Sequence, residues 1–194
     1  MRSNAVVGVL YKGVEPYLED YFSSIMWQTT KQFCLYFFDN HSEGVCHLEQ
    51  YFQKCRDRGI KVHIIPLPKK NCPLIIVRKF MIDFLKKEKL QKIVFTDTDD
   101  YFSQKRFEKS FQALEESGVV FNDLIPFNSK TKEEFPSMFS QQPFREVCFK
   151  DLLDKNLLGY SHLAIQAKQL ENIFPLKLKN VPQVTDWRFF GSIL

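Results

Sequence analysis

None of the five cysteines (Cys34, Cys46, Cys55, Cys72 and Cys148) stands in CxxC or CxxH spacing, so paired-thiol metal and redox sites are excluded. The odd count also speaks against a disulfide framework. The first residues, MRSNAVVGVLYKG, hold one basic residue and a short apolar run with no cleavage-type site. Together these features predict reduced thiols in a cytoplasmic protein. No stretch approaches the roughly 20 apolar residues of a membrane span. Association with the cytosolic face of a membrane would therefore need a partner or an amphipathic face. There is no Gly-x-Ser-x-Gly, no Walker loop and no Gly-x-Gly-x-x-Gly, which removes several common hydrolase and nucleotide-binding chemistries. The four histidines (His41, His47, His63, His162) show no metal-ligand spacing. Internal repeats, low-complexity tracts and domain linkers are also lacking.

The basic excess is small. A formal net charge of +4, spread between acidic residues, excludes a nucleic-acid binder but suits a small anionic ligand. The tract KVHIIPLPKKN reads as a solvated loop rim. A chain of 194 residues fits one domain, here taken as residues 1–194. Phe occurs 20 times, so many rings must line a core or a cleft.

Short apolar runs alternate with helical patterns. Ala5–Tyr11 (AVVGVLY) predicts a buried strand, and Glu15 to Thr29 a helix with Tyr17, Leu18, Tyr21, Phe22, Ile25 and Met26 on one face. Phe33–Phe38 predicts a second strand, stopped by the turn formers Asp39-Asn40-His41-Ser42. A helix from Cys46 to Arg58 ends before Gly59. A strand over Lys61–Leu67, a helix over Leu74–Lys87 and a strand over Lys92–Thr96 follow. This order predicts a parallel sheet with helices on its faces. Right-handed crossovers put the carboxyl ends of the strands on one edge, where open sheets bind ligands. Tyr11–Lys12, Asp39–Ser42 and Asp97–Asp100 all fall on that edge. The second half predicts a helix over Gln104–Ser117, a strand over Val119–Phe127, a long polar loop over Asn128–Pro143, a strand over Leu157–Ile165 and a short helix over Lys168–Phe174.

The strongest local signal is Thr96-Asp97-Thr98-Asp99-Asp100 after the apolar run KIVF. A DxD arrangement of this kind at a strand end converges carboxylates on one hard cation, Mn²⁺ or Mg²⁺, which bridges to substrate phosphates. Such an ion would stabilise charge growing on a leaving diphosphate. The alternative is a solvated turn in which Asp99 or Asp100 caps the next helix.

The pattern resembles family 2 of the inverting glycosyltransferases, which have the GT-A fold. Tyr17-Leu18, Ser24-Ile25 and Gln28-Thr29 resemble that family's first helix. Phe37–Ser42 resembles its Asp-containing turn, and Val77-Arg78-Lys79 its helix start, with Lys79 in place of Asn. Val94–Asp100 matches its Asp-rich segment closely, and Thr185-Asp186-Trp187 resembles its Glu-Asp-Trp segment, with Thr185 in place of Glu.

The resemblance implies a GT-A (Rossmann-like) three-layer α/β/α sandwich with a mostly parallel central sheet. It implies a nucleotide-sugar half over residues 1–103 and an acceptor half over 104–194. The activity implied is metal-dependent transfer of a hexosyl or N-acetylhexosaminyl group, with inversion, from a UDP-sugar or other nucleotide-diphosphate sugar to a hydroxyl acceptor such as a saccharide. Asp39 would then accept a hydrogen bond from the base, Tyr11 would line the base pocket, and Arg78 would reach the base or phosphates. Asp97 would contact the ribose or hold the metal through water, and Asp99 would ligate it. Asp186 would be the general base. His162 and Trp187 are acceptor-side candidates.

Duller roles stay open for each: a turn former at Asp39, a surface ion pair of Arg78 with Asp39 or Asp83, a helix N-cap at Asp186, a core or cleft wall at Trp187, a structural His162. A degenerate nucleotide-sugar-binding domain and a nucleotidyltransferase are the other readings of the whole chain. The latter lacks its Gly-rich, Arg-containing loop after the first strand. Only eight residues follow Asp186, which fits a minimal form, a fragment, or a site completed by a partner or second copy of the chain.

Overall fold

Val-rich, Phe-rich runs that are apolar on both sides make strands buried on both faces. The computed structural model, which describes residues 3–40, 45–139, 146, 150 and 159–173, bears this out. Its strands are β1 (Ser3–Leu10), β2 (Cys34–Asp39), β3 (Lys61–Pro66), β4 (Leu90–Phe95), β5 (Val119–Phe121) and β6 (Leu163–Gln166). Its helices are α1 (Leu18–Met26), α2 (Val45–Asp57), α3 (Leu74–Leu85) and α4 (Arg106–Ala113). They form one sheet in the order β3-β2-β1-β4-β6-β5. The first four strands are parallel, and β6 runs antiparallel to both β4 and β5.

Side chains along β1 alternate between two cores, as the period of two requires. Ala5, Val7 and Val9 pack with Val77, Met81 and Leu85 of α3. Val6 and Leu10 pack on the other side with Leu18, Phe22 and Ile25 of α1, Phe52 of α2 and Phe107 of α4. The result is the expected three-layer sandwich. Many of the described phenylalanines are core: Phe22, Phe37, Phe38, Phe52, Phe95 and Phe107 are fully buried. Phe22, Phe37 and Phe52 meet in tilted or edge-on pairs with centroids 5.4–5.6 Å apart.

Several boundaries differ from the sequence reading. β5 stops at Phe121 instead of Phe127; a last backbone bond in the β5–β6 register, from Asn122 N–H to His162 O, ends the pairing where the chain enters the 3-10 turn at Tyr160–His162. β6 begins at Leu163, after a 3-10 turn at Tyr160–His162; residues 157 and 158 of the expected strand lie outside the described ones. The expected helix at Lys168–Phe174 is a 3-10 turn, Ala167–Asn172. Within the expected loop, residues 128–139 are described. They fold back on themselves through a Phe127–Glu134 bridge, with the left-handed residue Lys132 (φ 60°) between its two arms.

Two buried polar arrangements join the sheet to the segments beyond it. Gly8, in mid-strand, leaves room for the Tyr21 hydroxyl, which pairs with Thr96 Oγ1 at 2.8 Å. A Cβ at position 8 would collide with that hydroxyl. His162 is 2% exposed. Its Nε2 accepts the Gly159 N–H, so Nδ1 carries the proton and donates to Asn122 O at 3.2 Å. Burial holds its pKa down to about 4.

Gly8→Ala should therefore destabilise by about 1–3 kcal/mol through overpacking, lowering Tm by several degrees. Adding Tyr21→Phe should recover part of that loss, and an unchanged Tm in Gly8→Ala would show the Tyr21 hydroxyl is not seated there. The pH dependence follows from His162. Its folded pKa, about 4, lies below the ordinary 6.5, so between those values the unfolded chain holds a proton that the folded chain does not. Stability should then rise with pH across this window, by about 3 kcal/mol in all, and lose that dependence above it. His162→Gln should flatten this part of the urea-denaturation profile; an unaltered slope would rule the assignment out.

Candidate active site

The strand register sets the rim. Leu10 pairs with Asp39, Asp39 with Pro66, and Val7 with Phe95. The next residues of β1 and β2 therefore emerge together, while β4 ends level with Val7 and its continuation through Thr98 runs beside Val9. Tyr11 is half-buried there and packs against both cores. Asp39 is half-buried at the last position of β2.

After β4 the chain alternates for one more step. Thr96 and Thr98 are buried, and their hydroxyls donate to Val7 O and Val9 O of β1, each at 2.8 Å. Alternation gives Asp97 and Asp99 the other side of the chain. Asp97 is half-buried, Asp99 exposed and Asp100 half-buried. The Asp100 N–H closes the turn on Asp97 O at 3.2 Å. Burial, then the neighbouring Asp97, raises the pKa of Asp99. Asp100 is pushed up to about 6 by burial and by Asp97 and Asp99, against a hydrogen bond from Ser161 and the nearby Arg106. Three carboxylates thus repel one another on one turn.

Two arginines flank it. Arg78, the fifth residue of α3, is 3% exposed. Its guanidinium lies 3.1 Å from the Tyr160 ring centroid, and Nη2 donates to Asp97 Oδ1 at 3.3 Å. The described partner is thus Asp97, neither Asp39 nor Asp83; Asp83 pairs with Lys79. On the other side Arg106, at the start of α4, is 7% exposed. It donates to Phe95 O at 2.9 Å, to Ser161 O, and to Asn122 Oδ1 at 3.0 Å. Burial lowers its pKa to about 10, which leaves it protonated at neutral pH.

Arg106, Asn122 and Ser161 were not singled out from the sequence. A lone arginine in an amphipathic helix gives no signal of what it meets across the sheet. Asn40 was read only as a turn former. It is 3% exposed and clamps Cys72 through both amide atoms, at 2.8 and 3.0 Å. That clamp holds the segment leading to α3 against the end of β2. His162, expected at an acceptor contact, has both ring nitrogens engaged inside the protein, so it supports the wall behind Ser161. Asp186 and Trp187 lie outside the described residues.

Among the described residues no group of three or more His, Cys, Asp or Glu forms a complete cage for an ion. The acidic turn nevertheless fits a hard divalent cation. Mg²⁺-type ions commonly take one or two carboxylates and fill the remaining positions with water and substrate phosphate. Asp97 and Asp99 offer oxygen donors on one side of the chain, and their mutual repulsion is what a cation would relieve.

The family model described as "Glycosyl transferase family 2" matches residues 6–173. Among solved structures, S. aureus TarS 1-349 has a TM-score of 0.66 at 20% identity, covering 98% of this chain and 56% of that one. The same TarS fragment in complex with UDP-GlcNAc has a TM-score of 0.64 at 18% identity, covering 98% and 54%. The mannosyltransferase PcManGT from Pyrobaculum calidifontis, in complex with GDP-Man and Mn²⁺, has a TM-score of 0.59 at 11% identity, covering 90% and 47%. No curated protein matches. The chain spans about half the length of these structures, and at such identities the likeness is one of fold. With its Asp-rich turn at the rim of a mostly parallel sheet and a family match over most of its length, the chain belongs to glycosyl transferase family 2 and has the GT-A fold.

Proposed function

We propose that this chain is a metal-dependent inverting glycosyltransferase that moves a hexosyl or N-acetylhexosaminyl group from a nucleotide-diphosphate sugar, a UDP-sugar, to a hydroxyl acceptor. The observation that carries this reading is the acidic turn Asp97–Asp100 at the sheet rim, held from one side by Arg78 and beside Asp39 and Tyr11. Structures of the same fold hold UDP-GlcNAc in one case and GDP-Man with Mn²⁺ in another, which supports the donor class and the metal.

Residues 1–103 supply the donor side. Asp39 accepts a hydrogen bond from the base, and Tyr11 lines that pocket. Arg78 holds one oxygen of the Asp97 carboxylate, which would contact the ribose or hold the metal through water. Asp99, exposed at the turn, would ligate Mn²⁺ or Mg²⁺ directly; when bound, the ion would neutralise the diphosphate and stabilise the charge it gains on leaving. Asp186 takes the proton of the acceptor hydroxyl. The acceptor oxygen forms its bond to the anomeric carbon as the bond to the phosphate oxygen breaks, and the electron pair departs with the nucleotide diphosphate. Attack opposite the leaving group inverts the anomeric centre.

UDP with Mn²⁺ should raise Tm, by several degrees when the ligand is near 100-fold over its Kd. Asp99→Asn should remove the metal-dependent part of that shift. A flat response to UDP, GDP and other nucleotides with Mn²⁺ would overturn the reading. Asp186→Asn should keep the full shift yet lose roughly 10²–10⁴-fold in transfer rate, measured as nucleotide diphosphate released in the presence of acceptor; undiminished transfer would remove Asp186 from the base role.

A further inference from the structure

The edge of the sheet opposite the acidic turn collects the starts of β1–β4 and the ends of α1, α2 and α3. The register keeps that edge level: Lys61 pairs with Cys34, Cys34 with Ala5, and Ser3 with Leu90. Residues 27–34, 54–61 and 86–90 pass through it, and they hold eight basic side chains against two acidic ones, Asp57 and Glu88. The whole chain has a net charge of only +4, so the remainder is net negative. Beyond β4 the basic excess ends, where Glu116 and Glu171 stand with Lys168, and Glu115 takes up Lys92.

Helix dipoles do not account for this set. Lys54 and Arg56 lie in the last turn of α2, where cations complement the dipole, but α1 and α3 have no basic residue in their last turns. Arg56 is committed to Glu49 at 2.5 Å, and Lys31 caps α1 through Met26 O at 2.8 Å. Lys54, Arg58, Lys61, Lys86, Lys87 and Lys89 form no ion pair among the described residues. Beside Arg58 stands Trp27, the C-cap of α1, 62% exposed. The Arg58 guanidinium lies over one face of its ring, 5.3 Å from the centroid. A lone exposed aromatic needs no explanation. A tryptophan set among unpaired cations has the composition of an interfacial anchor: an apolar body, an N–H for the headgroup layer, and charge for anionic lipid.

We propose that this edge docks the chain on an anionic lipid bilayer, with Trp27 seated at the headgroup boundary and the six unpaired cations facing the lipid charge. Charge complementarity selects that occupant, because the excess is of one sign and confined to one edge. The aromatic selects a bilayer over a soluble acidic partner, which would leave the indole in water. No helix among the described residues is long and apolar enough to cross a membrane, so the association is peripheral and weakened by salt. β2 and β3 are six residues long, so the docked chain holds its acidic turn roughly 20 Å off the surface, facing away. Such docking uses no residue of the acidic site and holds whether or not the chain transfers sugar.

Co-sedimentation with vesicles tests this, using phosphatidylcholine alone or mixed with phosphatidylglycerol in roughly a two-to-one ratio, at about 0.1 M salt. The unmodified protein should sediment with the mixed vesicles and stay in solution with the neutral ones. Lys61→Gln with Lys87→Gln should weaken binding about 25-fold, roughly fivefold per charge, and Trp27→Ser about tenfold. Lys109→Gln with Lys130→Gln removes the same charge from exposed positions elsewhere and should change binding little. All these side chains are exposed, so each variant should keep its Tm. No sedimentation with the mixed vesicles overturns the proposal. Equal loss in the two lysine pairs also overturns it, by reducing the effect to net charge. Binding that survives Trp27→Ser unchanged overturns the bilayer in favour of a soluble acidic partner.

Discussion

Two buried guanidinium groups bracket the acidic turn, and most of the site's geometry depends on that arrangement. Arg78 stands on the α3 side and holds Asp97. Arg106 stands on the α4 side and holds Phe95 O, Asn122 and Ser161 O. Both lean on the same short segment, one over the Tyr160 ring and the other on the Ser161 carbonyl. Burying a guanidinium is costly unless it is paired and hydrogen-bonded. The compensation here is the field of the carboxylates: Asp100 and Asp97 raise the Arg106 pKa against the pull of burial. The acids stabilise the arginines, and the arginines keep three adjacent carboxylates tolerable.

This makes β6 more than a strand that completes the sheet. It enters between β4 and β5, and the residues just before it, Tyr160 to His162, supply the surface on which both arginines are seated. His162 ties that entry to Asn122 at the end of β5, and Asn122 is also a partner of Arg106. A neutral imidazole suits this place, since a charged one would stand close to the Arg106 cation. The packing beneath is equally connected. Gly8 admits Tyr21, Tyr21 pairs with Thr96, and Thr96 is the residue before Asp97. Core packing in the first strand therefore reaches the start of the acidic turn through two side chains.

The parallel half of the fold was legible from the sequence because its signals are local. Apolar runs, amphipathic faces and turn formers repeat four times between Ser3 and Phe95, and each strand end could be placed within a residue or two. The acidic turn was visible for the same reason, since its residues are consecutive. What was not legible depends on pairing across long separations. Val119–Phe121 and Leu163–Gln166 are too short and too plain to reveal that one inserts beside β4 and the other at the edge. The partners of Arg106 lie 11, 16 and 55 residues away, and no periodicity encodes such contacts. Asn40 hid differently. Asn is common in turns, so its bridge to Cys72, 32 residues on, left no mark in the sequence.

The three carboxylates of the turn occupy three environments, and that asymmetry argues for a site built around a cation. Asp97 is held by Arg78; Asp99 is exposed and repelled by Asp97; Asp100 is turned towards Ser161 with its pKa pushed up to about 6. A turn required only to reverse the chain would have no reason to hold so much negative charge beside a buried core, because each carboxylate raises the cost of ionising the next. Thr96 and Thr98 sharpen the point. They tie the backbone down to β1 with two hydroxyl bonds, so the acids cannot relieve their repulsion by moving apart. A backbone held in place and carboxylates that raise one another's pKa are conditions that favour binding a cation with little reorganisation. The cost of keeping those acids together is what the bound cation would recover.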